Sequence, residues 1–367
     1  MAYHTEQILE ALTHVIEPDL KKDLVTLNLV SNVKIDGNKV SLDVQISNPA
    51  MHSKKRMEEA IIFNIQRLVS KDLEVTVNIS GIKNEEGDPN LRKVLPGVKN
   101  IIAVASGKGG VGKSTVTANL ALGLAKKGYK VGLIDADIYG PSMPIMLDCI
   151  GEKPTMVDVD GRQLIKPVEA YGIKLLSIGF FADLNQAIVW RGAMASKAIR
   201  QMFLDAHWGE LDYMLIDLPP GTSDIHLTLV QLVPISGAVV VSTPQEVALA
   251  DARKGVNMFA QDRINVPVLG LVENMSYFTP EELPENKYYI FGKDGVKTLA
   301  DQMEVPLLGE IPLVQSIRES GDVGRPAVLQ EGTPVSIAFD LLTANVVERA
   351  AWRHKNIAPT QVVKMEQ

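Results

Sequence analysis

Cysteine is nearly absent from the chain, with Cys149 the single one among 367 residues. No disulfide can close within one chain, a reducing compartment fits best, and a lone cysteine most often fills space in a core. Histidine is scarce too: His4, His14, His52, His207, His226 and His354 show none of the paired spacing that transition-metal sites use. No stretch offers about 18 uninterrupted apolar residues, and the opening MAYHTEQILEALTHVIEPDL lacks a basic segment followed by an apolar one. Neither a membrane span nor export is expected. Basic residues are in deficit: 37 Lys and Arg against 44 Asp and Glu give a formal net charge of −7, which works against non-specific attraction to nucleic-acid phosphates. A serine-hydrolase elbow of the form G-x-S-x-G is also missing. These absences point to a cytoplasmic protein with no nucleic-acid or membrane partner.

What is present is ordinary for a folded soluble chain, 46% apolar and 22% charged, with a length that suggests two domains. Residues 1–80 read as helix, strand, strand, helix, strand. Val25 to Ile35 and Lys39 to Ser47 flank the hairpin signal Asp36-Gly37-Asn38, and Val40, Leu42, Val44 and Ile46 alternate with polar residues as a half-buried strand does. Ser53 to Val69 carries Met57, Ile61, Ile65 and Leu68 at helical spacing, and Leu73 to Ile79 alternates again. A small α+β domain follows from that order. Residues 81–99 are polar with glycine and proline and read as a linker.

Across residues 100–351, apolar runs recur between helix-like segments: Ile101 to Ala105, Val131 to Asp135, Ile173 to Ile178, Tyr213 to Asp217, Gly237 to Ser242, Val268 to Glu273 and Pro306 to Ile311. Such runs predict an α/β domain with a parallel sheet and helices on both faces. Residues 352–367 form a C-terminal tail without a sustained basic amphipathic pattern.

Chemistry concentrates in one place. Gly107-Lys108-Gly109-Gly110-Val111-Gly112-Lys113-Ser114 satisfies GxxxxGK[ST] between the strand IIAVAS and the helix-like TVTANLALGLAKK, the setting that a phosphate-binding P-loop requires. The glycines let backbone N–H groups converge on phosphate oxygens, with a helix N-terminus behind them. Lys113 is expected to reach the outer phosphates, Ser114 to offer its hydroxyl to Mg²⁺, and the stretch through Thr115 to bind ATP. Lys108 is a second cation inside the loop, which the general pattern does not demand; it reads either as a charge compensating phosphate, in its own subunit or across a dimer, or as a solvated lysine. Asp135 and Asp137 end VGLIDAD and Asp217 ends YMLID. Carboxylates at the carboxyl ends of parallel strands face the ligand crevice of open α/β sheets.

Taken together, GKGGVGKST, DADIYGPS, the WRG at Trp190 to Gly192, DLPPGTSD and STPQEVALADARKG closely resemble the Mrp/ApbC family of iron-sulfur cluster carrier ATPases over nearly the whole chain. The N-terminal domain resembles the small iron-sulfur-assembly-associated domain often fused to them, with IEPDLKKDLVTLNLV in the place of its opening motif. The resemblance implies a relative of MinD and ParA and therefore a homodimer in which Lys108 crosses to the partner's nucleotide. It further implies that ATP is hydrolysed slowly, as a switch, with Lys108, Lys113 and Asp137 catalytic. Asp137 would orient the attacking water, Asp135 and Asp217 would support Mg²⁺ with Ser114, and Asn274 in VENMSYF would touch adenine. A client of iron-sulfur assembly is the implied partner.

The family places a cluster-binding CxxC shortly after the ENMSYF-like strand, where this chain reads TPEELPENKYY. Asn48-Pro49-Ala50 is followed by Met51-His52 where a cysteine is usual. Glu281, Glu282 and Glu285 are hard donors that suit a solvated loop better than an iron-sulfur cluster, which prefers thiolates. Two rival functions stay open: an ATP-gated scaffold with negligible turnover, and a MinD-like or ParA-like positioning ATPase without an iron-sulfur role.

Overall fold

The computed structural model describes residues 3–18, 22–27, 29–46, 51–81, 94–159, 161–181, 192–221, 224–261, 264–280, 282–283 and 285–360. Trp190, Asn48-Pro49-Ala50, Thr222, Glu281 and most of the expected linker lie outside these residues. The chain divides into two compact units, Met1–Asp88 with Trp352–Pro359, and Pro89–Ala351 with Thr360–Gln367.

The small unit runs α1 (Thr5–Leu12), β1 (Ile16–Glu17), β2 (Lys22–Asp23), β3 (Val30–Asp36), β4 (Lys39–Ile46), α2 (Met51–Leu68) and β5 (Glu74–Gly81). Its three-stranded sheet has the order β3-β4-β5, with β3 antiparallel and β5 parallel to β4. Gly37 takes φ +59° at the β3–β4 turn, a conformation that glycine adopts without the Cβ penalty. Val40, Leu42, Val44 and Ile46 are buried, as the alternation requires, and they pack with Ile8, Leu12, Ile61 and Ile65 in one core.

Two local expectations differ from the fold. The strand expected from Val25 starts only at Val30, because Asp23 Oδ1 accepts from the N–H groups of Val25 (3.1 Å) and Thr26 (2.7 Å) and bends the chain into a turn. Leu68 is 48% exposed at the last position of α2, and Val69 packs on the core instead.

The large unit runs β6 (Val98–Ser106), α3 (Lys113–Lys126), β7 (Val131–Asp135), α4 (Met143–Met146), β8 (Thr155–Val159), β9 (Arg162–Lys166), β10 (Val168–Ala170), β11 (Ile173–Ser177), α5 (Gly192–Leu204), β12 (Leu211–Asp217), α6 (Asp224–Leu232), β13 (Gly237–Ser242), α7 (Glu246–Phe259), β14 (Val268–Asn274), α8 (Gly295–Gln302), β15 (Leu307–Ile311), α9 (Gln315–Asp322) and α10 (Pro334–Asn356). All seven apolar runs are strands of one sheet, ordered β10-β11-β7-β12-β6-β13-β14-β15. Every pairing is parallel except β10 with β11 at the edge. Strands β8 and β9 form a separate antiparallel hairpin.

Alternate side chains on each strand feed different cores. Ile101, Ala103, Met214, Ile216 and Val240 pack with apolar residues of α5, α6, α7 and α8. Ile102, Val104, Leu133, Leu215 and Val241 pack with those of α3 and α10, and Cys149 lies in this second core at 4% exposure. The sheet is therefore covered on both faces, which accounts for its near-continuous apolar strands. Chain order along the sheet reverses around β6: the chain leaves it toward β7, returns to its flank as β12, then crosses to β13 on the other side. The carboxyl ends of β6, β7 and β12 share one sheet edge, since Asp217 is in register with Val104 on one neighbour and Asp135 on the other. That edge is where open α/β sheets hold ligands.

A P-loop nucleotide site at the sheet's switch point

The loop after β6 owes its path to missing Cβ atoms. Gly110 and Gly112 take φ +81° and +80°, and a Cβ on Gly112 would collide with the amide nitrogen of Asn274. Gly107 approaches the backbone of Asp251 and Ala252 in α7 so closely that a side chain there has no room. Three further bonds fix the loop: Asn274 Nδ2 donates to the Val111 carbonyl (2.8 Å), Ser106 Oγ to the Lys108 carbonyl (3.0 Å), and Gly221 N to the Ser106 carbonyl (2.9 Å). Helix α3 then begins with Gly112 as a cap that offers no side-chain acceptor. Its first-turn N–H groups have no intrahelical partner and carry the positive end of the helix dipole, an arrangement suited to an anion.

A cleft of 260 Å³ opens over this loop, lined by residues 108–115 together with Asp137, Ser142, Met146 and Pro220. Lys108 is half-buried on its wall. Lys113 is 6% exposed, and its ammonium lies 2.7 Å from Asp217 Oδ2 and 3.2 Å from Ser114 Oγ. Ser114 Oγ in turn donates to the same Oδ2 at 2.7 Å. The other carboxylate oxygen, Oδ1, accepts from Thr117 Oγ1 at 2.6 Å. Asp217 is fully buried, and a buried ion pair is tolerable only when its remaining lone pairs are hydrogen-bonded in this way.

Asp135, its register partner, lies off the cleft wall with no exposed surface. It accepts from Ser177 Oγ (2.9 Å) and from the N–H groups of Met143 (3.2 Å) and Asp137 (3.3 Å), so it braces the segment that carries Asp137. Burial, then the nearby Asp217 charge, pushes its carboxyl up to about 7, against the opposing pull of Ser177, Met143 and Lys113. Asp137 is half-buried on the cleft wall, with Oδ1 accepting from Gly140 N at 3.3 Å. Burial raises its pKa, while Lys113 lowers it and Asp217 raises it further.

The structure thus brings the whole expected loop, Lys113, Ser114 and Asp217 into one cluster and sets Lys108 and Asp137 on the adjoining wall. Asn274, which the family resemblance assigns to adenine, spends its amide on the Val111 carbonyl. Thr117, Ser142 and Ser177 were not singled out by the sequence. Thr117 was findable, being one helical turn past Lys113; Ser177 becomes a neighbour of Asp135 only through the strand order.

The oxygen donors Ser114 Oγ and Asp217 Oδ2 at 2.7 Å fit a hard divalent ion such as Mg²⁺, which takes few protein ligands beside phosphates and water. Among the described residues, a soft cluster has no comparable site: no group of three or more of their His, Cys, Asp or Glu side chains is placed to hold a metal. The Cys149 thiol is pushed up to about 11 by burial, then by Glu152 and Asp148, which disfavours the thiolate that ligation needs. Where the family resemblance places CxxC, Phe278 and Tyr288 exchange backbone hydrogen bonds at 2.8 Å, and Glu282 and Glu285 are exposed.

Fold and loop together define a P-loop NTPase of the MinD/ParA type. The family model described as "NUBPL iron-transfer P-loop NTPase" matches residues 97–347, and the chain belongs to that family. A second model, "Iron-sulfur cluster assembly protein", matches residues 5–77. The chain is 43% identical over 340 residues to the iron-sulfur cluster carrier protein of Synechocystis sp., covering 93% of this chain and 95% of that protein. It is 50% identical over 256 residues to the iron-sulfur protein required for NADH dehydrogenase, mitochondrial, of Arabidopsis thaliana, covering 69% and 80% respectively. Among solved structures, it is similar to the nucleotide-binding protein of Archaeoglobus fulgidus in complex with ADP (TM-score 0.58, 38% identity, 69% of this chain and 96% of that one). The septum site-determining protein MinD of Pyrococcus horikoshii, complexed with Mg-ADP, shares the fold at TM-score 0.50 and 25% identity, over 70% and 98% of the two chains. No helix among the described residues is long and apolar enough to cross a membrane.

The buried Asp135 carboxyl makes stability depend on pH. Folded, it keeps its proton to about pH 7; unfolded, it loses it near the ordinary value of 3.8. Between these values the folded protein binds more protons than the unfolded chain, so this contribution is fullest at low pH and is lost as pH rises through the window. In metal-free and nucleotide-free protein, Asp135→Asn is expected to flatten the fall of the urea midpoint between about pH 5 and about pH 8. A variant midpoint that falls as steeply as that of the wild type would show that Asp135 is not the group responsible.

Proposed function

We propose that the protein is a homodimeric ATPase of iron-sulfur cluster assembly, whose nucleotide state governs its hold on a client and which holds no cluster on thiolates of its own. The observation that carries the reading is the buried Lys113–Asp217–Ser114 arrangement behind a complete phosphate loop. Family membership and the names of its relatives supply the iron-sulfur context.

Phosphoryl transfer asks little covalent chemistry of a protein and much positioning. In this reading, loop N–H groups and the α3 N-terminus bind the phosphates, and Lys113 turns from Asp217 to the outer ones. Ser114 and Asp217 would hold Mg²⁺, which would neutralise charge on the phosphates. Asp137 orients water from the cleft wall. Asn274, braced on the loop, offers its carbonyl oxygen toward adenine, and Lys108 compensates phosphate charge in the partner subunit. Hydrolysis depends on dimerisation because the site is complete only in the dimer.

The cargo is a different matter. One cysteine per chain gives a dimer two thiols, both of them Cys149, whereas a four-iron cluster takes four thiolates. Any iron-sulfur role is therefore indirect or draws ligands from a partner.

Mixed dimers test the cross-subunit role. Lys108→Ala and Asp137→Ala parents are each expected to lose at least about tenfold in turnover with ATP affinity nearly kept, the scale of removing one charge-stabilising group. A heterodimer of the two recovers one competent site and turns over well above both parents. A heterodimer no faster than its parents contradicts the arrangement.

Anaerobic reconstitution tests the cargo. Purified wild-type protein is expected to bind ATP yet retain substoichiometric iron and sulfide after desalting, with no stable visible charge-transfer bands. Recovery of about four irons and four sulfides per dimer, unchanged in Cys149→Ser and without added thiols, would mean that non-thiolate ligands suffice.

A further inference from the structure

Thr117 stands outside the motif that identifies the loop, and it is completely buried. Its hydroxyl lies 2.6 Å from Asp217 Oδ1 and 2.9 Å from the Lys113 carbonyl one turn back. A hydroxyl has one proton to give, and the nearer, charged oxygen takes the larger share. Among the described residues Thr117 is the one hydrogen-bond donor to Oδ1. Oδ2 is engaged differently, shared by Ser114 Oγ and the Lys113 ammonium at 2.7 Å each.

The two oxygens therefore have partners of different standing. Lys113 and Ser114 line the cleft, and they are the groups that phosphate and a divalent cation would claim. Thr117 does not line the cleft. An aspartate whose Oδ2 loses the Lys113 ammonium keeps the Ser114 hydroxyl, which can ligate a cation through a lone pair and still donate its proton, but it stands on a torsion that is broad and two-fold rather than locked. One bond to Oδ1 from a β-branched side chain on a packed helix removes that freedom, because such a side chain is stiff about χ1.

We propose that Thr117 is the positioning residue of Asp217: it grips Oδ1 whether or not nucleotide is bound, so that Oδ2, when Lys113 leaves it, stays on the Ser114 hydroxyl beside the magnesium site. The inference rests on the ATPase reading above and adds to it a residue that sets the Mg²⁺ requirement without touching nucleotide.

The test is a Mg²⁺ titration of nucleotide binding, using the full-length chain and a fluorescent non-hydrolysable ATP analogue, with a parallel titration in EDTA. Thr117→Val and Thr117→Ala are expected to raise the Mg²⁺ concentration for half-maximal tight binding about tenfold, the usual cost of losing a partner of a metal-orienting carboxylate. Affinity in EDTA should stay within about twofold of wild type, and Thr117→Ser should restore the Mg²⁺ requirement to within about twofold. Serine and alanine lack the same methyl group, so their difference reads the hydroxyl alone even if the valine variant does not fold. Equal Mg²⁺ requirements in the serine and alanine variants, or an equal loss of affinity with and without Mg²⁺, overturn the proposal. Failure of wild-type protein to bind the analogue at all would instead bring down the ATPase reading, and the role of Thr117 with it.

Discussion

The buried pair of Lys113 and Asp217 is the constraint around which the nucleotide-binding unit is arranged. With 6% and 0% of their side chains exposed, neither charge is solvated by bulk water, and removing either partner would strand the other. The pair can exist only where the first residue of α3 meets the last residue of β12. That meeting requires β12 beside β6 and the glycine turn that starts α3 at Lys113. Loop, strand order and helix start are thus conditions of one electrostatic contact.

The same contact prepares the site for its ligand. Lys113 is already neutralised by Asp217, so in the function proposed above a phosphate that takes Lys113 would exchange one anion for another rather than create a newly buried ion pair. Asp217 would be left unbalanced by that exchange. A divalent cation held by Ser114 and Asp217 would restore the balance and would couple magnesium and nucleotide through the charge on one carboxylate. Asp135 shows the contrasting solution to burial: with no cation in direct contact, it is held by one hydroxyl and two N–H groups and keeps its proton to near neutrality. Two strand-end aspartates in register thereby have different partners, one paired with the Lys113 ammonium and the other with donors of the segment that carries Asp137.

Much of this was legible in the sequence, for physical reasons. The seven core strands are buried on both faces and so appear as unbroken apolar runs, and the P-loop glycines are dictated by backbone geometry that other residues cannot adopt. The three-residue edge strand β10 and the hairpin β8–β9 lack that apolar density and left no such signal. Asp23 redirected a chain that apolar content alone would have continued as strand. Within the site, residues fixed by their own loop were readable, whereas Ser177 and the register of Asp135 with Asp217 depend on which strands become neighbours. Thr117 lay in plain view, but its value depends on a partner 100 residues away.

The central claim is that Lys113 exchanges Asp217 for nucleotide phosphate, and the most direct measurement is calorimetric titration of Mg·ATP into wild-type protein and Lys113→Ala, with circular dichroism confirming the fold of both. The account predicts saturable binding by the wild type and a loss of at least about a hundredfold in the variant, as expected when a charge-assisted contact to phosphate disappears from a buried site. A folded Lys113→Ala protein that binds Mg·ATP as tightly as wild type would contradict it.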